Sequence, residues 1–256
     1  MDLQLEGRRA LVTGAHRGTG SVIARRLAEE GASVLVHGFE ADAASAVADT
    51  IADAHPVVGD LLSDAGVESL WQACAAHGPV DILVNNYGVS ARGSFTETSG
   101  NEWQALYNHN VLSAMRLAGH ALPPMLERDW GRIINLGTVG TFRPGARNPH
   151  YYSAKGALNT ATESLAAAAA GSGVAVNLVA PGLIRTPEML AWVEREAREQ
   201  GWQGDAAALE RQFIESRFPG MSSRMAERTE IADLVCFLAS PRSGYIHGQI
   251  LRIAGG

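Results

Sequence analysis

"RALVTGAHRGTGSVIARRLAEEGASVLVH", residues 9–37, decides how this chain folds. It opens with a short apolar run, "RALVT" (9–13), and then passes three closely spaced glycines, Gly14, Gly18 and Gly20. An amphipathic helical pattern, "SVIARRLAEEG", follows and leads to a second apolar run, "SVLVH" (33–37). Strands that read as unbroken apolar runs are buried on both faces, so helices must cover both sides of a parallel sheet. A strand, a glycine turn, a helix and another strand form the unit from which such sheets are wound.

The alternation continues through "PVVGD" (56–60), "DILVN" (81–85), "RIINL" (132–136), "VAVNLV" (174–179) and "QILRI" (249–253). Helical stretches lie between them, among them "AGVESLWQACAAHG" and "NEWQALYNHNVLSAMRLAGHAL". Seven runs with no Pro/Gly/Ser-rich linker predict a single α/β domain over residues 1–256. Its expected core is a doubly wound parallel seven-stranded sheet with helices on both faces, and such sheets bind ligands beyond the carboxyl ends of their strands.

Composition narrows the function. A net charge of −6 gives no basic footprint, which argues against a nucleic-acid partner. Cys74 and Cys236 are isolated, so neither a disulfide framework nor a CxxC metal pair is expected. His55, His77 and His120 share no metal-ligand spacing, and no metal is expected. "MDLQLEGRR" lacks the apolar core of a signal peptide, and the longest apolar stretch, 165–184, is interrupted by Gly171, Ser172, Gly173, Asn177 and Pro181. The reading is a soluble, cytoplasmic protein without a membrane span.

The glycine turn sits where a helix N-terminus can offer free N–H groups to a pyrophosphate. At the end of the second run, "VLVHGFEAD" places Gly38 and Phe39 where many dinucleotide folds carry an acidic residue. No carboxylate there would repel a 2′-phosphate, and Arg17 inside the turn can pair with one, which favours NADP(H) over NAD(H). Further on, in "NPHYYSAKGALN" (148–159), Asn148 can cap a helix with Pro149 at its first position. Tyr151 lies four residues and Tyr152 three residues before Lys155, so spacing alone leaves both tyrosines as its neighbours.

Taken together, these motifs resemble the short-chain dehydrogenase/reductase family. "TGAHRGTG" is similar to its TGxxxGxG turn, "NNYG" (85–88) to its NNAG segment, "YYSAK" to its YxxxK, and "HNV" (109–111) and "PG" (181–182) also fall in order. The resemblance spans essentially the whole chain. It implies a Rossmann-like oxidoreductase that interconverts a secondary alcohol and a ketone with NAD(P)(H), assembled as a homotetramer or homodimer. The alternative is a non-catalytic dinucleotide-binding regulator or scaffold of the same fold.

Position by position, the resemblance implies that Tyr151 is the general acid/base, with Lys155, Asn110 and Thr138 completing the catalytic set. Thr138 stands in "NLGT" where the family has a serine. Lys155 is expected to lower the Tyr151 pKa from near 10. Cofactor contacts are implied for Gly14, His16, Arg17, Gly18, Thr19 and Gly20 of the turn, and for Gly38, Phe39, Asp60 and Leu61. Asn86, Tyr87, Gly88, Tyr151, Lys155, Pro181, Gly182, Ile184 and Thr186 complete that set. Two departures are Tyr87 for a small alanine and Ala254 for an aspartate.

Residues 182–229 are expected to form an insertion that lids the substrate. Met189 and Trp192 are expected to line an apolar pocket with Val89, Thr138, Phe142, His150 and Tyr151. Phe213, Phe218, Met221 and Met225 are further candidates, and the substrate expected from this lining is of moderate, apolar character.

Overall fold

The structure is a computed structural model and describes residues 1–219, 222 and 224–255. The chain runs β1 (Arg9–Val12), α1 (Gly18–Glu29), β2 (Ser33–Gly38), α2 (Ala41–Ala48), β3 (Ala54–Val58), α3 (Asp64–Ala75) and β4 (Ile82–Asn85). It continues through α4 (Gly100–Tyr107), a π-helical turn (Asn108–Leu112), α5 (Ser113–Glu127), β5 (Gly131–Leu136), a 3₁₀ turn (Val139–Thr141) and α6 (Pro149–Ala168). β6 (Val174–Pro181), α7 (Pro187–Gln200), α8 (Ala206–Arg217), α9 (Arg228–Ala239) and β7 (Ile250–Ile253) follow. The seven strands form one sheet in the order β3-β2-β1-β4-β5-β6-β7, and every pairing is parallel.

Winding proceeds outward from β1 to β3, and β4 then returns to pair with the other edge of β1, in register Ala10 with Ile82. That reversal opens a crevice beyond the carboxyl ends of β1 and β4. Alternate residues of β1 enter opposite layers. Ala10 and Val12 pack with Ile23 and Leu27 of α1 and Val235 of α9, whereas Leu11 packs with Leu70 of α3 and Leu117 of α5. Both sets are fully buried, which is why positions 10–12 are apolar without alternation.

Two local readings are corrected. The third strand begins at Ala54, before the expected residue 56, and carries Pro56 inside it. It is an edge strand, where a missing N–H costs no ladder bond, so the proline does not delimit it. The helix expected over "NEWQALYNHNVLSAMRLAGHAL" is interrupted by the π-helical turn, which adds a residue to one turn and redirects the side chains around Asn110.

Residues 182–229 contain α7 and α8, and these two helices have a small core of their own. Val193, Phe213, Ile214 and Met225 are buried there, with Trp192 edge-on to Phe213 at 4.9 Å and Phe218 at 5.9 Å from Phe213. Glu196, nearly sealed from solvent, accepts hydrogen bonds from Arg217. Arg185 bridges Glu210 and Glu227 at 2.7 Å each.

Candidate active site

Helix α6 starts with Pro149 in its first turn, as expected, but Asn148 does not cap it with its side chain: it precedes the helix in a left-handed conformation, φ 61°, with its Oδ1 unpartnered. One turn in, Lys155 is buried, and its Nζ donates to the Leu136 carbonyl at the end of β5, 2.8 Å away. Burial alone pushes its amine down to about 8. Lys155 is also the only lysine in a chain with 20 arginines. An arginine would carry a fixed charge and a wide planar fork into this sealed position, whereas an amine is compact and its pKa adjusts.

Asn110 approaches from the π-helical turn. Its Nδ2 donates to Leu106 O and Val89 O, both at 2.9 Å, and its Oδ1 accepts from Val89 N–H at 3.2 Å. These bonds tie the loop after β4 to the helical turn. Gly88 lies at the meeting point: a Cβ there would stand 2.6 Å from Asn110 Oδ1 and 3.0 Å from Lys155 Nζ. The sequence-expected lysine and asparagine therefore converge beside one glycine at the carboxyl ends of β4 and β5.

Thr138 leads into the 3₁₀ turn, and its Oγ1 accepts from Gly140 N–H at 3.2 Å, which leaves the hydroxyl hydrogen to donate. Tyr151 is partly exposed beside Tyr152, with ring centroids 5.6 Å apart, and Tyr152 packs over Gly140. Burial pushes the Tyr151 phenol up to about 12, assisted by Tyr152. This is opposite to the expected lowering. Desolvation disfavours the phenolate, and the Lys155 amine is itself buried and directed at the Leu136 carbonyl.

At the neighbouring crevice, Gly14 is left-handed with φ 63°, and a Cβ on Gly20 would lie 2.7 Å from the Gly14 carbonyl. Both positions require glycine. Helix α1 begins at Gly18 and Thr19 with no side-chain cap and no acidic residue in its first turn. Its N–H groups are thus available to an anion, and exposed Arg17 stands next to them. This donor set fits a dinucleotide pyrophosphate. Asn86 holds the loop by donating to Thr13 O at 2.9 Å, and Asp60 braces the turn before α3 by accepting from Leu62 N–H and Ser63 Oγ.

Aromatic side chains frame the far end of the crevice. Phe39 lies edge-on to Tyr87 at 4.9 Å, with His16 and Gly38 beside it, and Tyr87 Oη pairs with His109 Nδ1 at 2.7 Å. Leu61 is buried in the core, so only its backbone can meet a ligand. Pro181 ends β6, Gly182 N–H donates to Ile253 O, and Ile184 bridges to Ala226. The Thr186 side chain caps α7 by accepting from Met189 N–H.

The structure gives the surroundings of the residues expected on the substrate side. Met189 and Trp192 pack against the core between α7 and α8 together with Phe213, Phe218 and Met225, because two short helices must bury an apolar face somewhere. Met221 lies outside the described residues. His150 is sealed against Trp103 and the Gly93 loop, with its Nδ1 unpartnered, instead of facing a pocket. Phe142 is exposed under the Arg252 guanidinium, 4.7 Å from its ring centroid. Val89 contributes its backbone to Asn110.

Sequence reading missed His37. Fully buried at the end of β2, it accepts from Gly14 N–H at 3.1 Å through Nδ1, so Nε2 carries the proton donated to Gly59 O. Burial pushes its pKa down to about 4, which keeps the ring neutral. The available signal was a polar residue closing an otherwise apolar run. Also missed was the buried ladder Asn85–Asn135–Thr162, linked at 2.8 and 2.9 Å, which fixes β4, β5 and α6 beneath the candidate catalytic residues. Among the described residues, no three His, Cys, Asp or Glu side chains gather as metal ligands.

Comparison with known proteins gives consistent results. A family model described as short chain dehydrogenase matches residues 8–197. The chain is 32% identical to a 3-oxoacyl-acyl-carrier-protein reductase of Aquifex aeolicus, over 100% of this chain and 99% of that protein. The L-sorbose reductase of Gluconobacter frateurii, solved with NADPH and L-sorbose, superposes with a TM-score of 0.91 at 28% identity, covering 100% of this chain and 98% of that one. A gluconate 5-dehydrogenase from Burkholderia cenocepacia, solved with NADP and tartrate, gives 0.85 at 30% identity, with 100% and 96% covered.

Proposed function

Because this chain belongs to the short chain dehydrogenase family, we propose that it interconverts a secondary alcohol and a ketone with NADP(H), NAD(H) being the weaker partner. When bound, the dinucleotide supplies or accepts the hydride. The uncapped start of α1 would hold its pyrophosphate, with Arg17 next to the place a 2′-phosphate would occupy. The two neighbours solved with NADPH and NADP support this choice.

Tyr151 gives its phenolic proton to the carbonyl oxygen during reduction and takes it back during oxidation. A phenol raised to about 12 is protonated throughout the neutral range, the state a donor needs. Thr138 donates its remaining hydroxyl hydrogen to the same oxygen. Lys155 restores the proton, and Asn110 orients the path beside Gly88. Residues 182–229 form the substrate lid. The assembly is a homodimer or homotetramer built through the long helices α5 and α6, and the location is cytoplasmic. No described helix is long and apolar enough to cross a membrane.

The observation that carries this reading is the convergence of Lys155 Nζ and Asn110 Oδ1 beside Gly88. A purely binding relative would have no use for the chain's single lysine sealed at that point. In Tyr151→Phe, NADPH-linked ketone reduction should fall by roughly 10³-fold, within the range of general-acid effects. NADPH affinity, read by fluorescence, should stay within about threefold. Turnover within twofold of the parent would overturn the assignment.

A further inference from the structure

We propose that the substrate is anionic, carrying a carboxylate a few bonds from the reacting carbonyl, and that Arg143 and Arg147 receive it. The inference rests on the oxidoreductase reading above and narrows its substrate class. Two loops rim the catalytic end of the sheet, residues 86–99 after β4 and residues 137–148 after β5. They are joined where Asn148 N–H donates to Gly93 O at 2.9 Å, which brings Arg92 and Arg147 to the same junction. Arg143 lies on the same loop, between Thr138 and Tyr151. Phe142, next to Arg143, lies under the guanidinium of Arg252 from β7.

The charge on this rim runs against the composition of the chain. Loop 137–148 has no acidic residue, and loop 86–99 has one, Glu97, which accepts from Ser94 Oγ at 2.7 Å. Three arginines against one glutamate give +2 on the two loops, in a chain of net charge −6. Arg92, Arg143 and Arg147 are exposed and make no ion pair or side-chain hydrogen bond among the described residues. Arg26, Arg116, Arg128, Arg185, Arg217 and Arg224 pair with carboxylates, whereas these three share their two joined loops with a single acidic residue, already engaged by Ser94. Unpaired guanidinium groups at the mouth of a site steer and bind a carboxylate, which they can hold through two parallel N–H bonds. Trp192, Phe213 and Phe218, which suggested an apolar substrate, are packed into the core between α7 and α8, so that the charged groups exposed on the loops are the three arginines and Glu97, beside Phe95 and Phe142.

The test compares two ketones that differ only by a carboxylate in place of a hydroxymethyl group, 5-keto-D-gluconate and L-sorbose. Their NADPH-linked reduction is followed with the parent protein and with the double variant Arg143→Gln, Arg147→Gln, whose exposed loop sites leave the fold intact by circular dichroism. The parent should favour the keto acid by about tenfold or more in kcat/KM at low salt, the size expected of a charged hydrogen-bonded contact. That ratio should fall toward one in the variant and at high ionic strength. A parent that prefers L-sorbose, or a ratio unchanged by the double substitution, overturns the proposal. If neither ketone turns over, the oxidoreductase reading fails separately. Calorimetric titration of the NADPH-loaded protein with 5-keto-D-gluconate then decides: binding weakened about tenfold in the variant supports the proposal, and equal binding, or none in the parent, overturns it.

Discussion

Gly88→Ala tests how tightly the catalytic groups are packed. The added methyl would begin 2.6 Å from Asn110 Oδ1 and 3.0 Å from Lys155 Nζ, and both atoms belong to buried side chains. To relieve the first contact from 2.6 to even 3.0 Å, the amide must retreat by about 0.4 Å. Asn110 is tethered by three hydrogen bonds to Val89 and Leu106, and Lys155 by one to Leu136, so neither can swing away freely. Each bond so weakened is worth about 1 kcal/mol. Replacing glycine also stabilises by about 0.4–1 kcal/mol through the unfolded chain, because Gly88 is not among the positive-φ glycines.

The two effects partly offset in stability, for a net loss of about 1 kcal/mol and a Tm lower by about 2–4 °C in a chain of this size. Catalysis has no such compensation. Misplacement of a catalytic group by up to an ångström costs on the order of 100-fold in kcat. The assay is steady-state NADPH-linked reduction beside thermal melting by circular dichroism. Activity within threefold of the parent at an unchanged Tm would refute the reasoning, because the methyl would then have found room that the structure does not contain.

Two further outcomes follow from the same geometry. Alcohol oxidation needs the Tyr151 phenolate, and a pKa raised to about 12 means that kcat/KM for oxidation should climb with pH through the alkaline range. Reduction needs the protonated phenol and should stay flat through neutrality; pH–rate profiles in both directions check this, and an oxidation rate that levels off near pH 7 would contradict it. Phe213→Ala removes a fully buried ring from the core between α7 and α8, a loss of about 3–5 kcal/mol. Because that core is separate from those of the sheet, hydrogen exchange should accelerate over residues 187–217 and leave β1, β4 and β5 protected; uniform acceleration would show one shared core.

The sheet was legible because its central strands are buried on both faces, so that positions 10–12 and 82–84 are apolar without alternation, with polar residues only at the ends of each run. The edge strand was read less well, since Pro56 punctuates a sequence but costs nothing where no ladder bond is made. The π-helical turn at Asn108–Leu112 leaves no periodic mark, because it inserts one residue into an otherwise helical pattern. In the site, Lys155, Asn110 and Thr138 were placed from motif spacing, and the fold does bring Lys155 and Asn110 together.

The substrate side was not legible in the same way. Trp192 and Met189 carry the apolar spacing of a pocket wall, but that spacing equally describes two helices packing on each other, and the second arrangement is what formed. His150 is polar and next to Tyr151, yet consecutive residues on a helix point about 100° apart, and its ring turned toward Trp103. His37 escaped notice because a histidine in a strand shows no motif; its role emerges only when Gly14 is placed against it.

Having a single lysine makes the central claim directly measurable. Protein labelled with carbon-13 at the lysine side chain gives one ε-methylene resonance, that of Lys155, whose titration can be followed by NMR with and without NADPH. A buried amine at the carboxyl end of the sheet predicts a midpoint of about 8 in the free protein and a clear shift of the signal when the dinucleotide binds. A midpoint near 10.4, the value of a solvated lysine, with no response to NADPH would contradict the account.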